Sequence, residues 1–338
     1  ATAFSLRQAA IAARERDHAE RRFADVRELA RVFLFELPER IENLAGSTAA
    51  RALLVKTGLS YLDRLYAEGG DDPGLTRELA AGYERLAEVQ AGLNSANVGE
   101  TAAALATLDR ALELRQRLMA KAAAGGVSEA TELAAAHLAR ATVLFKNGRR
   151  AEALAEAQKT ADLLAADSAP SGDPGRERLF AKTLSLRGFL EATSGDLTAA
   201  EASLRSAVQR FDRLVARPPV AAAVRDERAR ALERLGSILG QNPGNYPEVE
   251  RRWSAALAVD RALLAEAPRH PARTRAVMAD LGRLAILRGM EGNLDAALLL
   301  SGEALVLAER LAAEDPDDFE AQRSLAQLHS HRRGFAHA

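Results

Sequence analysis

The 338-residue chain contains no cysteine, which excludes disulfides, thiolate metal sites and a cysteine nucleophile. Aromatics are scarce, with 10 Phe, 4 Tyr and 1 Trp. Neither sign of charge is in excess: 46 Lys and Arg stand against 47 Asp and Glu, a net charge of −1. That balance argues against nucleic acid as a partner. No apolar run approaches the roughly 18 to 20 residues of a membrane-spanning helix, and no signal peptide opens the chain. It begins Ala1-Thr2-Ala3 rather than with Met, so a preceding segment is expected. What remains is Ala, Leu, Arg and Glu, strong helix formers that point to an all-α protein without strands.

Gly, Pro, Asn and Asp divide the sequence into about thirteen helical stretches. The first spans about Ser5 to Leu44. Phe23, Val26, Leu29, Ala30, Phe33 and Leu37 recur along it at spacings of three and four, one buried face. Pro38 kinks or ends it, and Gly46 with Ser47 starts a helix reaching about Glu68. From Asp72 the pattern repeats as helix pairs. Small residues in the second helices, Ala104, Ala153, Ala200, Ala255 and Ala297, mark five pairs at intervals of 49, 47, 55 and 42.

These pairs resemble tetratricopeptide repeats at the positions that carry packing. The third reads Leu184, Arg187-Gly188, Gly195-Asp196-Leu197, Ala200, Leu204 and Ala207; the fourth has Leu235-Gly236 and the fifth Leu284-Ala285. In the first two, Ala87 and Ala141 replace the Gly. The intervals exceed the 34 residues of the common repeat, through longer second helices and two loops, 93–98 and 241–247, either of which is a place for function. The expected fold is an all-α, right-handed α-solenoid of tetratricopeptide-like pairs with long helices. It divides into an N-terminal long helix and hairpin (1–71), five pairs (72–316) and a capping helix from about Asp317 (317–338).

A narrower resemblance covers residues 14–120. Arg16-Asp17-His18-Ala19-Glu20-Arg21-Arg22-Phe23, Ile41-Glu42-Asn43-Leu44-Ala45-Gly46-Ser47, Tyr61-Leu62-Asp63-Arg64-Leu65 and Ser95-Ala96-Asn97-Val98-Gly99-Glu100-Thr101 are similar to the stretch after the membrane helix of bacterial serine/threonine protein kinases with C-terminal tetratricopeptide repeats. The resemblance implies a membrane-anchored parent with a cytoplasmic kinase and this region on the periplasmic side. This chain has no Gly-rich phosphate loop, catalytic loop or Asp-Phe-Gly: His331-Arg332-Arg333 and Asp318-Phe319-Glu320 lack the chemistry. The chain is therefore expected to be non-catalytic, a protein- or peptide-binding sensor or scaffold segment. The alternative is a freestanding cytoplasmic scaffold.

No cofactor or metal site is expected. His329 and His331, two apart on a helix, point about 200° apart and cannot share a ligand face; His337 follows them, and His137 reads as a packed core position. Glu84 and Glu88 read as a solvated face, and 225–234 as a salt-bridged surface. In tetratricopeptide repeats the first helices line the concave groove. Projecting from the Gly/Ala site gives a protein-binding set: Leu138, Thr142, Phe145 and Lys146; Lys182, Ser185, Phe189 and Thr193; and Arg230, Glu233 and Ser237. Phe145 and Phe189 are the candidate anchors. A homodimer through the N-terminal helix is the other partner expectation.

Overall fold

The computed structural model describes residues 32, 37, 48–68, 72–91, 101–122, 127–166, 172–314 and 319–336. Among them there is no strand and there are twelve α-helices: α1 (Thr48–Glu68), α2 (Pro73–Ala91), α3 (Thr101–Lys121), α4 (Val127–Lys146), α5 (Arg150–Ala166), α6 (Pro174–Thr193), α7 (Leu197–Val215), α8 (Ala222–Leu239), α9 (Tyr246–Glu266), α10 (Pro271–Met290), α11 (Leu294–Glu314) and α12 (Phe319–Ala336). They fall into two compact units, Ala1–Ala169 and Pro170–Ala338. The boundary lies inside the stretch expected to hold the five pairs. Most of the expected first helix, the dimer contact placed on it and the loop 93–98 lie outside the described residues.

In the first unit, each helix packs on its sequence neighbour as far as α5, and the first helices α2 and α4 touch. The Asp72 side chain accepts from the backbone N–H of Gly74 at 2.9 Å, and Pro73 opens α2 where no N–H is needed. Leu75, Leu79, Leu86 and Val89 then line one face of α2 against Leu54, Val55, Leu62 and Leu65 of α1. Leu37 packs on the same core.

In the second unit, α6/α7, α8/α9 and α10/α11 are the pairs, and α12 closes the array. Gly188 marks the crossing of α6 and α7. A Cβ there would lie 2.7 Å from Leu204 Cγ and 3.0 Å from the backbone oxygen of Ala200, so no larger residue fits. Gly195 (φ +89°) makes the tight turn that follows, and the Asp196 side chain caps α7 through Ala199 N–H at 3.0 Å. The last apolar face, with Ala304, Leu305, Ala308 and Leu311 of α11, is covered by Ala321, Leu325 and Leu328 of α12.

The fourth pair corrects the sequence register. Ala255 is half-buried, whereas Val249 and Ala256 are fully buried. Trp253 sits on Gly236 as Leu204 sits on Gly188. Val249 is therefore the crossing residue. It is accommodated because Gly240 lies beside it, 3.9 Å from Val249 Cγ1 to an ideal Cβ. The marker series becomes Ala104, Ala153, Ala200, Val249 and Ala297, with intervals of 49, 47, 49 and 48 in place of 55 and 42 for the last two.

Candidate functional site

In the first unit, the projected residues lie along α4. Leu138 is buried, Thr142 donates its hydroxyl to Leu138 O at 2.9 Å, and Phe145 is half-buried. Lys146 is exposed as a residue, while partial burial of its ammonium lowers its pKa. His137 is buried as expected but is more than packing: Nδ1 lies 2.6 Å from Glu156 Oε2 on α5. Burial opposes ionisation of Glu156, yet hydrogen bonds from His137 and Lys159 outweigh it and hold the carboxyl at about 2. Arg140 adds a guanidinium at 3.1 Å.

Glu84 and Glu88 are not a bare acidic pair. Glu84 takes both nitrogens of a bidentate fork from Arg115 at 2.8 and 2.9 Å, and Glu88 pairs with Arg85 at 2.5 Å. Arg115 itself is only 4% exposed.

In the second unit, the projected residues lie on α6 and α8, which touch. A ladder of arginines runs across the first helices. Arg234, two residues before Gly236, donates to the backbone oxygen and hydroxyl of Ser185 at 3.1 and 3.0 Å, with its guanidinium 5.1 Å from the Phe189 ring centroid. Arg283, at the same register position in α10, reaches Glu233 at 3.0 Å; Glu233 is the register counterpart of Ser185. Ser185 is consequently buried and Glu233 half-buried, each engaged by the next pair. Phe189 is half-buried; Lys182, Thr193, Arg230 and Ser237 are exposed. Lys182 and Arg178 share Glu227, at 3.5 Å and through a 2.7 and 2.8 Å fork.

Glu233 also belongs to a carboxylate group that the sequence reading recovered only through it. Asp260 of α9 and Asp280 of α10 join it, one oxygen from each of the three lying within 4.8 Å of the others. Asp260 is 2% exposed and Asp280 0%. Burial and the Glu233 charge push Asp280 up to about 8 and Asp260 up to about 6. Arg283 bonds Asp280 at 2.7 Å; Asp260 Oδ1 and Asp280 Oδ2 have no hydrogen-bond partner. The missed signal lies in the register: Asp280 stands where the other first helices carry Gly82, Ala136, Thr183 and Ala231, and Asp260 where three of the other four second helices carry Leu164, Phe211 and Ala308. The expected terminal histidines add nothing to it: His329 is exposed, and the His331 side chain and His337 lie outside the described residues.

Among the described residues, no helix is long and apolar enough to cross a membrane. No protein-family model matches the chain, and no curated protein matches it by sequence. Solved structures match by shape. The chain is similar to BtubC (BKLC) from P. vanneervenii, at 16% identity and a TM-score of 0.59 over 79% of this chain and 93% of that one. It is also similar to the S. pombe nuclear import adaptor Nro1 (12%, 0.52, 78% and 91%) and to the apo form of RapI (13%, 0.51, 90% and 95%). At these identities the likeness is one of fold. Together with the small-residue crossings, it makes this an all-helical array of tetratricopeptide-like pairs.

Proposed function

We propose that the chain is a non-catalytic repeat region that binds a protein or peptide along the first helices of its pairs. The observation that carries this reading is the Arg234 clamp. A guanidinium tied to Ser185 fixes Phe189, one of the chain's few aromatics, half-exposed on a face whose neighbours Lys182, Arg230, Thr193 and Ser237 stay open to solvent. A rigid aromatic ringed by polar side chains is the composition of an interface anchor. Phe145 is the corresponding candidate in the first unit. The similarity to an import adaptor, Nro1, fits such a task.

The test uses immobilised chain with wild-type sequence, Phe145→Ala, Phe189→Ala and the double variant, each checked for helicity. A partner captured by the wild type and lost by the Phe189→Ala chain supports the reading. Equal capture by all four moves the site away from these helices.

The narrower role we infer is that of sensor or scaffold segment of a membrane-anchored bacterial serine/threonine kinase, on the periplasmic side. It rests on the resemblance over residues 14–120. The gene upstream of Ala1 tests it: a kinase domain followed by an apolar span supports the role. Their absence leaves the cytoplasmic scaffold.

A further inference from the structure

Register comparison isolates an oddity in the fourth pair. In the first pair, the counterparts of Glu233 and Asp260 are Glu84 and Arg115, joined as a bidentate ion pair. The fourth pair keeps the glutamate and puts a carboxylate where the guanidinium would be, and α10 adds Asp280 at a position held by small or neutral residues in every other first helix. The fourth pair and its neighbour thus bring three carboxyl groups together where the first pair joins one glutamate to a guanidinium.

The surrounding charges do not make up the loss. From α8, Arg230 pairs with Asp226 at 2.8 Å and Arg234 reaches Ser185; from α10, Arg273 also pairs with Asp226. Arg283 engages Glu233 and Asp280. Asp260 Oδ1 and Asp280 Oδ2 are then left buried without a donor. An unpartnered buried carboxylate oxygen is strongly unfavourable, so such groups are normally paired or coordinate a metal.

All the available donors are oxygens, a hard ligand set. One oxygen from each of the three lies within 4.8 Å of the others. Mg²⁺ dehydrates reluctantly and is usually held through only one or two carboxylates, so a buried set of three suits Ca²⁺ better. We propose that Glu233, Asp260 and Asp280 form a divalent-cation site that prefers Ca²⁺ to Mg²⁺ and ties α8, α9 and α10 together. The site needs no protein or peptide partner, although one of its ligands, Glu233, is also among the residues projected onto the first-helix face.

The chain's single tryptophan supplies the probe. Trp253 Nε1 donates to the backbone oxygen of Glu233 at 3.1 Å, so a Tb³⁺ ion bound as a Ca²⁺ surrogate would be sensitised by exciting that indole. The full chain is titrated with Tb³⁺, then with Ca²⁺ and Mg²⁺ as competitors, beside Asp260→Asn and Asp280→Asn chains of verified helicity. Sensitised emission that Ca²⁺ displaces more readily than Mg²⁺, and that each variant weakens at least about tenfold, is the expected result. Should either variant fail to fold, Glu233→Gln, on the half-buried member, takes its place, and equilibrium dialysis counts Ca²⁺ per chain directly. Emission unchanged by the substitutions, or no Ca²⁺ retained by the wild-type chain, overturns the proposal.

Discussion

Replacing Gly236 by Ala probes the close helix crossing at a place where the chain reports on itself. In an open helix the change is favourable by about 1 kcal/mol. At Gly236 the new methyl overlaps Trp253 Nε1 and lies 2.7 Å from Cδ1. The indole is wedged between α8 and α9 and must move. Overpacking costs about 1–3 kcal/mol. Displacing Nε1 from its 3.1 Å bond to the Glu233 oxygen costs about 1 kcal/mol more. Subtracting the helix gain leaves a net destabilisation of about 1–3 kcal/mol. Gly302→Ala on α11 is the control: an added Cβ there meets nothing within 4 Å, so that chain gains about 1 kcal/mol. Urea unfolding followed by Trp253 fluorescence and by helicity reads both, with the two midpoints moving in opposite directions. If Gly236→Ala unfolds at or above the wild-type midpoint while Gly302→Ala rises, the crossing is not sterically limited and the register built on it fails.

Acid stability offers a second test. The folded pKa of Glu156, about 2, lies below its ordinary 4.5, so its stabilisation is complete above about pH 4.5 and disappears as pH falls towards 2. That shift corresponds to about 3 kcal/mol. Glu156→Gln should remove stability of that order at neutral pH and flatten the acid limb of an unfolding-versus-pH curve; an unchanged limb refutes the assignment. Arg115→Met leaves the Glu84 carboxylate without its fork and should cost about 3 kcal/mol. Adding Glu84→Gln should recover part of it, a coupling of about 1 kcal/mol or more in a double-mutant cycle; strict additivity would contradict the geometry. These variants also separate the two units, since all three substituted residues lie in the first.

Much of the fold was legible because crossings between paired helices demand small residues and tight turns demand Gly. Gly188, Gly195 and Ala200 display both requirements in one short stretch. The fourth pair departs from the small-residue pattern because a valine stands at its crossing, admitted by Gly240. Ser185 and Glu233 lie on α6 and α8, the first helices used for the projection. Periodicity within one helix, however, does not disclose that Arg234 and Arg283 from the next pair claim them. Asp260 and Asp280 escaped notice because an acidic residue on an amphipathic helix reads as solvent-facing. Only alignment of whole pairs sets them against Phe211 and Thr183 and exposes the mismatch.

The clasp of Arg178 and Lys182 on Glu227 has a consequence for how such an array can evolve. The register counterpart of Glu227 in the following pair is Ala276. Excising the fourth pair as a cassette of 49 residues would bring Ala276 opposite Arg178 and Lys182 and leave two cations without an acceptor. The pairs share a backbone plan, yet each junction carries its own address in charge. Duplication, loss or exchange of a pair would be read as a misaddressed joint, so the chemistry of the seams favours the present order of pairs.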